Sequence, residues 1–327
     1  MFTHTYDNIT SIENLLTAWW RFRRGKSKRS SVRAFELCLG DNLARLHQVL
    51  KDKTYAHGSY ARFNVADPKP RVIHNASVFD KVVHRLIYDS LYWHFHFRFI
   101  HDSYSCRNNK GPYLATERFK SFAGKVSRNH TRTAWVLKCD IRKFFASINH
   151  ITLKQILARH ISDPDFLWLI GQVIDSFSST SLGTGLPLGN LTSQLFGNVY
   201  MHEFDQFVKQ ELRFKYYIRY ADDFVFLSHS KSELDNMLPK LADFLNNRLK
   251  LSLHPNKVHI TTYASGVDFL GWVHFPHHRT LRTSTKKRAE QNLKWYPTPE
   301  TANSYRGLLS HGNTFKIKRG LDSLGSL

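Results

Sequence analysis

The stretch Tyr217-Ile218-Arg219-Tyr220-Ala221-Asp222-Asp223-Phe224-Val225-Phe226-Leu227 sets two adjacent carboxylates at the tip of an apolar hairpin. Two like charges side by side in a poorly hydrated place destabilise each other, and one of them holds a proton unless a cation sits against the pair. A divalent metal is such a cation. The competing reading is a plain turn, since Asp is a common turn residue. A further carboxylate has a similar setting. Trp135-Val136-Leu137-Lys138-Cys139 reads as a short buried strand ending in Asp140, so the acid again stands at a strand's edge.

Between these places lies the turn-rich loop Gly185-Leu186-Pro187-Leu188-Gly189-Asn190-Leu191-Thr192-Ser193-Gln194, which leads into a helical pattern from Leu195 to Phe204. The elements that must position the acids therefore run strand, helix, strand, hairpin.

Together these blocks resemble the palm of a reverse transcriptase. Tyr220-Ala221-Asp222-Asp223 is similar to the family's YxDD box, Asp140 to its first metal-binding aspartate, and Leu186-Pro187-Leu188-Gly189 with Ser193 to its template and nucleotide loop. Upstream, Lys69-Pro70-Arg71-Val72-Ile73, Asp80-Lys81-Val82-Val83-His84-Arg85 and Ser103-Tyr104-Ser105-Cys106-Arg107 with Lys110-Gly111 resemble the fingers segment shared with group II intron and related bacterial enzymes. Downstream, Leu253-His254-Pro255-Asn256-Lys257 resembles the palm's lysine motif, and Val267-Asp268-Phe269-Leu270-Gly271-Trp272 the primer-grip hairpin. Within the family, Leu188-Gly189-Asn190-Leu191-Thr192-Ser193-Gln194 has the [ILV]GxxxSQ form of diversity-generating retroelement enzymes, where most group II intron enzymes read QGxxxSP. The block Ser304-Tyr305-Arg306-Gly307-Leu308-Leu309-Ser310-His311-Gly312-Asn313 fits that branch too. Some antiphage-defence reverse transcriptases, whose cDNA is itself the effector, share parts of the pattern.

The resemblance implies an α+β right-hand polymerase fold with fingers, palm and short thumb, and an antiparallel palm sheet backed by helices. Residues 1–134 would be the N-terminal extension and fingers, 135–275 the palm with the 180–200 loop shared with the fingers, and 276–327 a short helical thumb. Pro276-His277-His278-Arg279 reads as the linker, and 285–296 as the first thumb helix before Pro297. The implied activity is that of an RNA-directed DNA polymerase, a nucleotidyltransferase that copies a structured non-coding RNA into cDNA from dNTPs. A catalytically inactive RNA-binding or splicing factor is the alternative from another class, and the intact acids speak against it.

In that chemistry a primer 3′-hydroxyl attacks the α-phosphorus and pyrophosphate leaves in line, so charge builds on both oxygens. Two Mg²⁺ ions, with Mn²⁺ as the alternative, serve both oxygens and need only a few carboxylates. The resemblance assigns them to Asp140 and Asp222, with Asp223 alongside and the Ile141 carbonyl assisting. Phe145 falls where the family places an aromatic gate that excludes a 2′-hydroxyl, although the Phe144-Phe145 pair also suits one core ring and one gate. Arg71 is matched to a triphosphate contact, and Lys81 and Arg85 to the template path. Lys257 is matched to the residue that protonates or orients pyrophosphate, against the plainer reading of a solvated surface lysine. An aliphatic Leu188 in place of glutamine, with Gly189 and Gln194, removes a hydrogen-bonding check on pairing. The implied outcome is misincorporation opposite template adenines.

Composition agrees with a polyanionic partner: 47 Lys+Arg stand against 26 Asp+Glu, for a formal charge of +21. Arg21, Arg23, Arg24, Lys26, Lys28, Arg29 and Arg33 form a basic cluster near the N-terminus. Arg279, Arg282, Lys286, Lys287, Arg288 and Lys294 form another, with Lys316, Lys318 and Arg319 beyond. Such contacts give sequence-independent, salt-sensitive affinity, so template RNA and the cDNA primer-product are the expected partners. The short thumb leaves room for a small basic accessory protein or an RNA-organised complex. Cys38, Cys106 and Cys139 have no paired spacing, which points to a reducing compartment. With no basic-then-apolar leader and no long apolar run, the expected setting is the cytoplasm of a bacterial cell, from a phage or cellular gene, and not a membrane.

Overall fold

Short polar side chains start several helices of this chain. Ser11 accepts from Asn14 N (3.3 Å), Ser77 from Asp80 N (3.1 Å), Asn149 from Thr152 N (2.9 Å) and Asp163 from Phe166 N (2.9 Å), each satisfying an amide that the first helical turn leaves unpaired. The computed structural model describes residues 2, 4–66, 69–296 and 298–315. It divides into two compact units, one comprising Met1–His101, Ile141–Arg213 and Ala242–Ser252, the other Asp102–Asp140, Phe214–Leu241 and Leu253–Leu327.

The first unit is mostly helical. Its long helix Val78–His96 buries Val82, Val83, Leu86, Ile87 and Leu91, the spacing of one helical face, and packs against Ile12–Arg23 and Leu191–Gln206. Two residues of the Asp80-to-Arg85 block are structural. Asp80 accepts from Tyr55 Oη (2.8 Å) and Ser77 Oγ (2.6 Å). His84 is fully buried between His57 and the Thr192 hydroxyl, and burial pushes its imidazole down to about 3. The unit's strands, β1 (Ala61–Val65) and β2 (Arg71–Asn75), pair antiparallel with Phe63 opposite Ile73.

The second unit holds a four-stranded antiparallel sheet of β3 (Trp135–Asp140), β4 (Tyr217–Tyr220), β5 (Asp223–Ser228) and β6 (His259–Thr262), in the order β4-β5-β3-β6. Val136, Ile218, Val225 and Leu227 form an apolar cluster with Phe119, Phe122, Ala123 and Val126 of the helix Pro112–Val126. Strand alternation explains the choice of residues, since every second side chain shares a face. By the same period Lys138, Asp140 and Asp223 lie on that face, toward the end where β3 stops and β5 starts. A three-stranded meander follows: β7 (Val267–Phe269), β8 (Trp272–His274) and β9 (Arg279–Leu281). Trp272 and Leu281 pack with Leu293 and Leu309 of the helices Thr283–Trp295 and Pro299–Leu309.

The α+β class and the antiparallel sheet are as expected from sequence. Three local details differ. The helix expected from Leu195 begins at Leu191, because its polar opening residues find partners: Ser193 donates to Pro187 O (2.7 Å) and Thr192 meets His84. Segment 275–278 is the turn between β8 and β9, with His274 opposite Arg279, not a spacer. The expected helix 285–296 runs Thr283–Trp295; Pro297, Lys316, Lys318 and Arg319 lie outside the described residues. Among the described residues no helix is long and apolar enough to cross a membrane.

Candidate active site

The hairpin tip is a two-residue turn, since Tyr220 pairs with Asp223 and leaves only Ala221 and Asp222 between β4 and β5. Ala221 adopts φ +55°, a left-handed conformation that a side-chain-bearing residue takes only when its surroundings enforce it. A buried arginine enforces it here. Arg219, fully buried, donates from Nη1 to Ala221 O (3.1 Å) and from Nη2 to Ser103 Oγ (3.1 Å). Its backbone is held on both sides, with Arg219 N donating to Asp102 O and Tyr104 N to Arg219 O, each at 3.0 Å.

Register then brings the acids together. Asp140, the last residue of β3, is the cross-strand partner of Asp223, the first of β5, and like charges directly opposite repel. Burial pushes the Asp223 carboxyl up to about 7, with Lys138 opposing the shift and Asp140, Asp222 and Asp268 adding repulsion. Its Oδ2 lies 3.7 Å from Lys138 Nζ, and its Oδ1 is buried without a hydrogen-bond partner. Lys138, itself buried, also donates to Asp268 O of β7 at 2.6 Å. Asp268 in turn receives Arg282 Nε at 2.8 Å.

Asp140 is engaged by a different lysine. Lys257 Nζ donates to both its carboxylate oxygens, at 3.0 and 3.1 Å. A tight turn aims that side chain: His254 N donates to Asp140 O (2.8 Å), Asn256 N to His254 Nδ1 (3.2 Å) and Lys257 N to His254 O (3.2 Å). Three acids, one of them Asp223 with a buried, unpartnered carboxylate oxygen, suit a hard divalent ion. As the side chains stand, no trio of His, Cys, Asp or Glu among the described residues closes on one point, and the ammonium of Lys257 stands on Asp140 in a cation's place.

The first unit carries the remaining candidates. Ile141 is buried there. His74 N donates to Leu188 O (2.9 Å) and Asn190 Nδ2 to His74 O (2.9 Å), which zips the loop to β2. Gly189, at φ +104°, is required by this approach, because a Cβ there would lie 2.6 Å from Ile73 Cγ2. A cavity of about 360 Å³ opens beside the zip, lined by Phe145, Leu186, Leu188, Val72, Phe177 and Arg62. Phe144 is buried and Phe145 half-buried toward the cavity, their rings 5.1 Å apart. Arg71 and Gln194 are exposed and not among the lining residues.

The basic residues divide by partner. Lys26 donates to Phe22 O (2.6 Å) and Lys81 to Asn75 Oδ1 (2.6 Å). Both ammonium groups are held below the usual lysine value by burial first and then by cations that include Arg29 for each. Arg85 grips Asp89 with Nε (2.9 Å) and Nη2 (2.8 Å). Arg24, Arg29, Lys286 and Lys287 are exposed, Arg288 less so, and Lys286 stands 3.9 Å from Glu290. Sequence reasoning passed over Lys138, Arg219 and Asp268 as functional residues. The available signal was a long cation inside each of two otherwise apolar strands, which must find a partner or an acceptor.

The family model described as reverse transcriptase (RNA-dependent DNA polymerase) matches residues 64–274. The chain is 26% identical over 193 residues to Protein YkfC of Escherichia coli (strain K12), covering 48% of this chain and 49% of that protein. It is 23% identical over 323 residues to the group II intron-encoded protein LtrA of Lactococcus lactis subsp. cremoris, covering 76% and 51%. The chain thus spans about half the length of these curated relatives. A solved structure of apo telomerase from Candida tropicalis, truncated from its C-terminal domain, aligns with a TM-score of 0.49 at 12% identity, over 74% of this chain and 60% of that one. The family match takes in both acid-bearing strands, the zipped loop and the Lys257 turn, well over half of the chain, which belongs to the reverse transcriptase family.

Proposed function

We propose that this chain is an RNA-directed DNA polymerase that makes cDNA on a structured RNA template. The observation that carries the reading is the register setting Asp140 against Asp223, with Asp222 in the adjoining turn, in a chain of this family. Asp140, Asp222 and the Ile141 carbonyl would hold the divalent ions, with Asp223 beside them. Bound there, Mg²⁺ or Mn²⁺ would activate the primer hydroxyl and neutralise charge on the leaving pyrophosphate. Lys138 Nζ, 3.7 Å from Asp223 Oδ2, would hold that carboxyl in place beside the ions. Lys257, released from Asp140, is the proton donor or phosphate contact for pyrophosphate.

Phe145 is read as the gate that makes a deoxynucleotide the preferred substrate, in the cavity it shares with Leu188. Arg71 is read as a triphosphate contact, and Gly189 as a nucleotide-binding residue of the loop. Leu188 and Gln194 support placing the enzyme in the diversity-generating branch, error-prone at template adenines. Arg24, Lys26, Arg29, Lys81, Arg85, Lys286, Lys287 and Arg288 would follow the template and product backbones. In this reading 1–134 are extension and fingers, 135–275 palm and 276–327 thumb, working in a bacterial cytoplasm with a small accessory protein or RNA completing the clamp.

The test is to purify the protein expressed with its native flanking locus at low salt and sequence bound RNA and attached cDNA, with Asp222→Asn as control. Asp222-dependent cDNA with substitutions at template adenines is the expected result. Faithful cDNA of a small RNA would move the enzyme to the defence class, and no Asp222-dependent cDNA would overturn the polymerase reading.

A further inference from the structure

The block from Ser304 to Asn313 has no place in the chemistry above, yet its last residues build one wall of a second cavity, of about 300 Å³, within the second unit. Its docking is specific. A Cβ on Gly312 would lie 2.1 Å from the Trp272 ring, so only glycine lets the segment lie against β8. Asn313 N donates to Arg279 O (2.9 Å), Arg279 Nε donates back to His311 O, and the His311 ring stacks on Tyr113 at 3.6 Å. The helix Pro112–Val126 supplies Glu117 and Lys120, and the β8–β9 turn supplies Phe275, His277 and His278, with Phe275 and His278 stacked at 4.7 Å and 12°.

Charge and shape select the ligand. Glu117, the only acid among the described lining residues, is taken by Arg279 Nη1 at 2.9 Å, which leaves Lys120 and the imidazoles facing the cavity. Planar rings, imidazole donors and an ammonium around a space at the small end of ligand sites suit one stacked base and its phosphate. We propose that this cavity, with Lys120, Tyr263, His277, His278 and His311 on its walls, holds a nucleotide unit of a single-stranded nucleic acid. The inference rests on the polymerase reading for the strand's origin, as template or as product.

The test measures binding of short fluorescent single-stranded oligothymidylate and oligouridylate to the full chain, and to a His277→Ala/His278→Ala double variant and Lys120→Ala. Thermal midpoints check folding, and primer extension is assayed separately. Loss of a stacking ring is expected to weaken oligonucleotide binding about five- to tenfold with the midpoint unchanged. Oligouridylate or oligothymidylate losing more identifies the strand as RNA or DNA. Should the double variant lose its fold, ultraviolet crosslinking of thiothymidine oligonucleotide to the unaltered chain decides, with adducts in 275–278 or 311–313 expected. Unchanged affinity with extension intact would overturn the cavity and leave the polymerase standing. Cavity-dependent binding without extension in the unaltered chain would do the reverse.

Discussion

Lys257 grips Asp140 through both carboxylate oxygens, at 3.0 and 3.1 Å, so the same side chain that is matched to pyrophosphate neutralises the acid matched to metal. An ion must displace that ammonium. A partly exposed pair of this kind is worth roughly 0.2–1 kcal/mol, so Lys257→Met should tighten Mn²⁺ binding by up to about fivefold, read from free Mn²⁺ by electron paramagnetic resonance. The same variant should slow nucleotide incorporation on the order of a hundredfold. Unaltered Mn²⁺ affinity would show that the pair does not compete with metal.

Asp223 should make the metal-free protein sensitive to pH. Its carboxyl sits at about 7 in the fold against an ordinary 3.8, so between those values the folded chain keeps a proton that the unfolded chain has released. Stability from this group therefore falls as pH rises through that window. Asp223→Asn should raise the thermal midpoint in chelator at about pH 8 and leave it nearly unchanged at about pH 4. Equal shifts at both would place the effect in packing and not in charge.

Phe145→Ala opens the wall of the 360 Å³ cavity. Ribonucleotide incorporation relative to deoxynucleotide should rise on the order of tenfold or more, since one steric clash is worth roughly 1–3 kcal/mol of discrimination. A constant ratio in single-nucleotide extension would return Phe145 to the core alongside Phe144.

Leu188→Gln restores a hydrogen-bonding side chain in the loop zipped to β2. Errors opposite template adenine should fall several-fold, counted by sequencing cDNA made on a defined RNA. An identical error spectrum would sink the link between this position and fidelity.

Arg219→Met leaves the Ala221 carbonyl and the Ser103 hydroxyl without the guanidinium. Leaving the buried Ser103 hydroxyl unpaired costs about 1–3 kcal/mol and the half-buried Ala221 carbonyl less, so urea denaturation should show a loss in that range or somewhat above it. Activity should fall further than stability at permissive temperature, because the turn carrying Asp222 loses the brace on its left-handed residue. A loss in stability with full activity would mean that the turn holds its shape without Arg219.

Elements with strong local patterns were legible. The strand Trp135–Asp140 ends at the acid where its apolar run stops, and the hairpin around Asp222 and the helix over 283–295 need only local signals. Reading failed where the deciding partner is remote. The helix start at Leu191 depends on hydroxyls paired with Pro187 and His84, so Thr192 and Ser193 look like loop until those partners are known. Lys257 reads equally well as a solvated lysine, because its partner is 117 residues away. Lys138 and Arg219 sat in plain view inside apolar strands, but their ties to Asp268 O, Ala221 O and Ser103 exist only once the sheet has formed.

The strand order β4-β5-β3-β6 dictates when the site can exist during synthesis. β3 is made first and lies inside the sheet, between two strands that have yet to be translated. At roughly 5–20 residues per second, several seconds or more separate Asp140 from Asp223, and longer from the Lys257 turn. Through that interval Trp135–Cys139 is an apolar strand with both edges bare, the kind of segment that pairs with neighbouring chains. Nascent chains on crowded ribosomes are therefore most exposed to aggregation between the emergence of β3 and that of β6, and slowing initiation should recover more folded protein than slowing elongation.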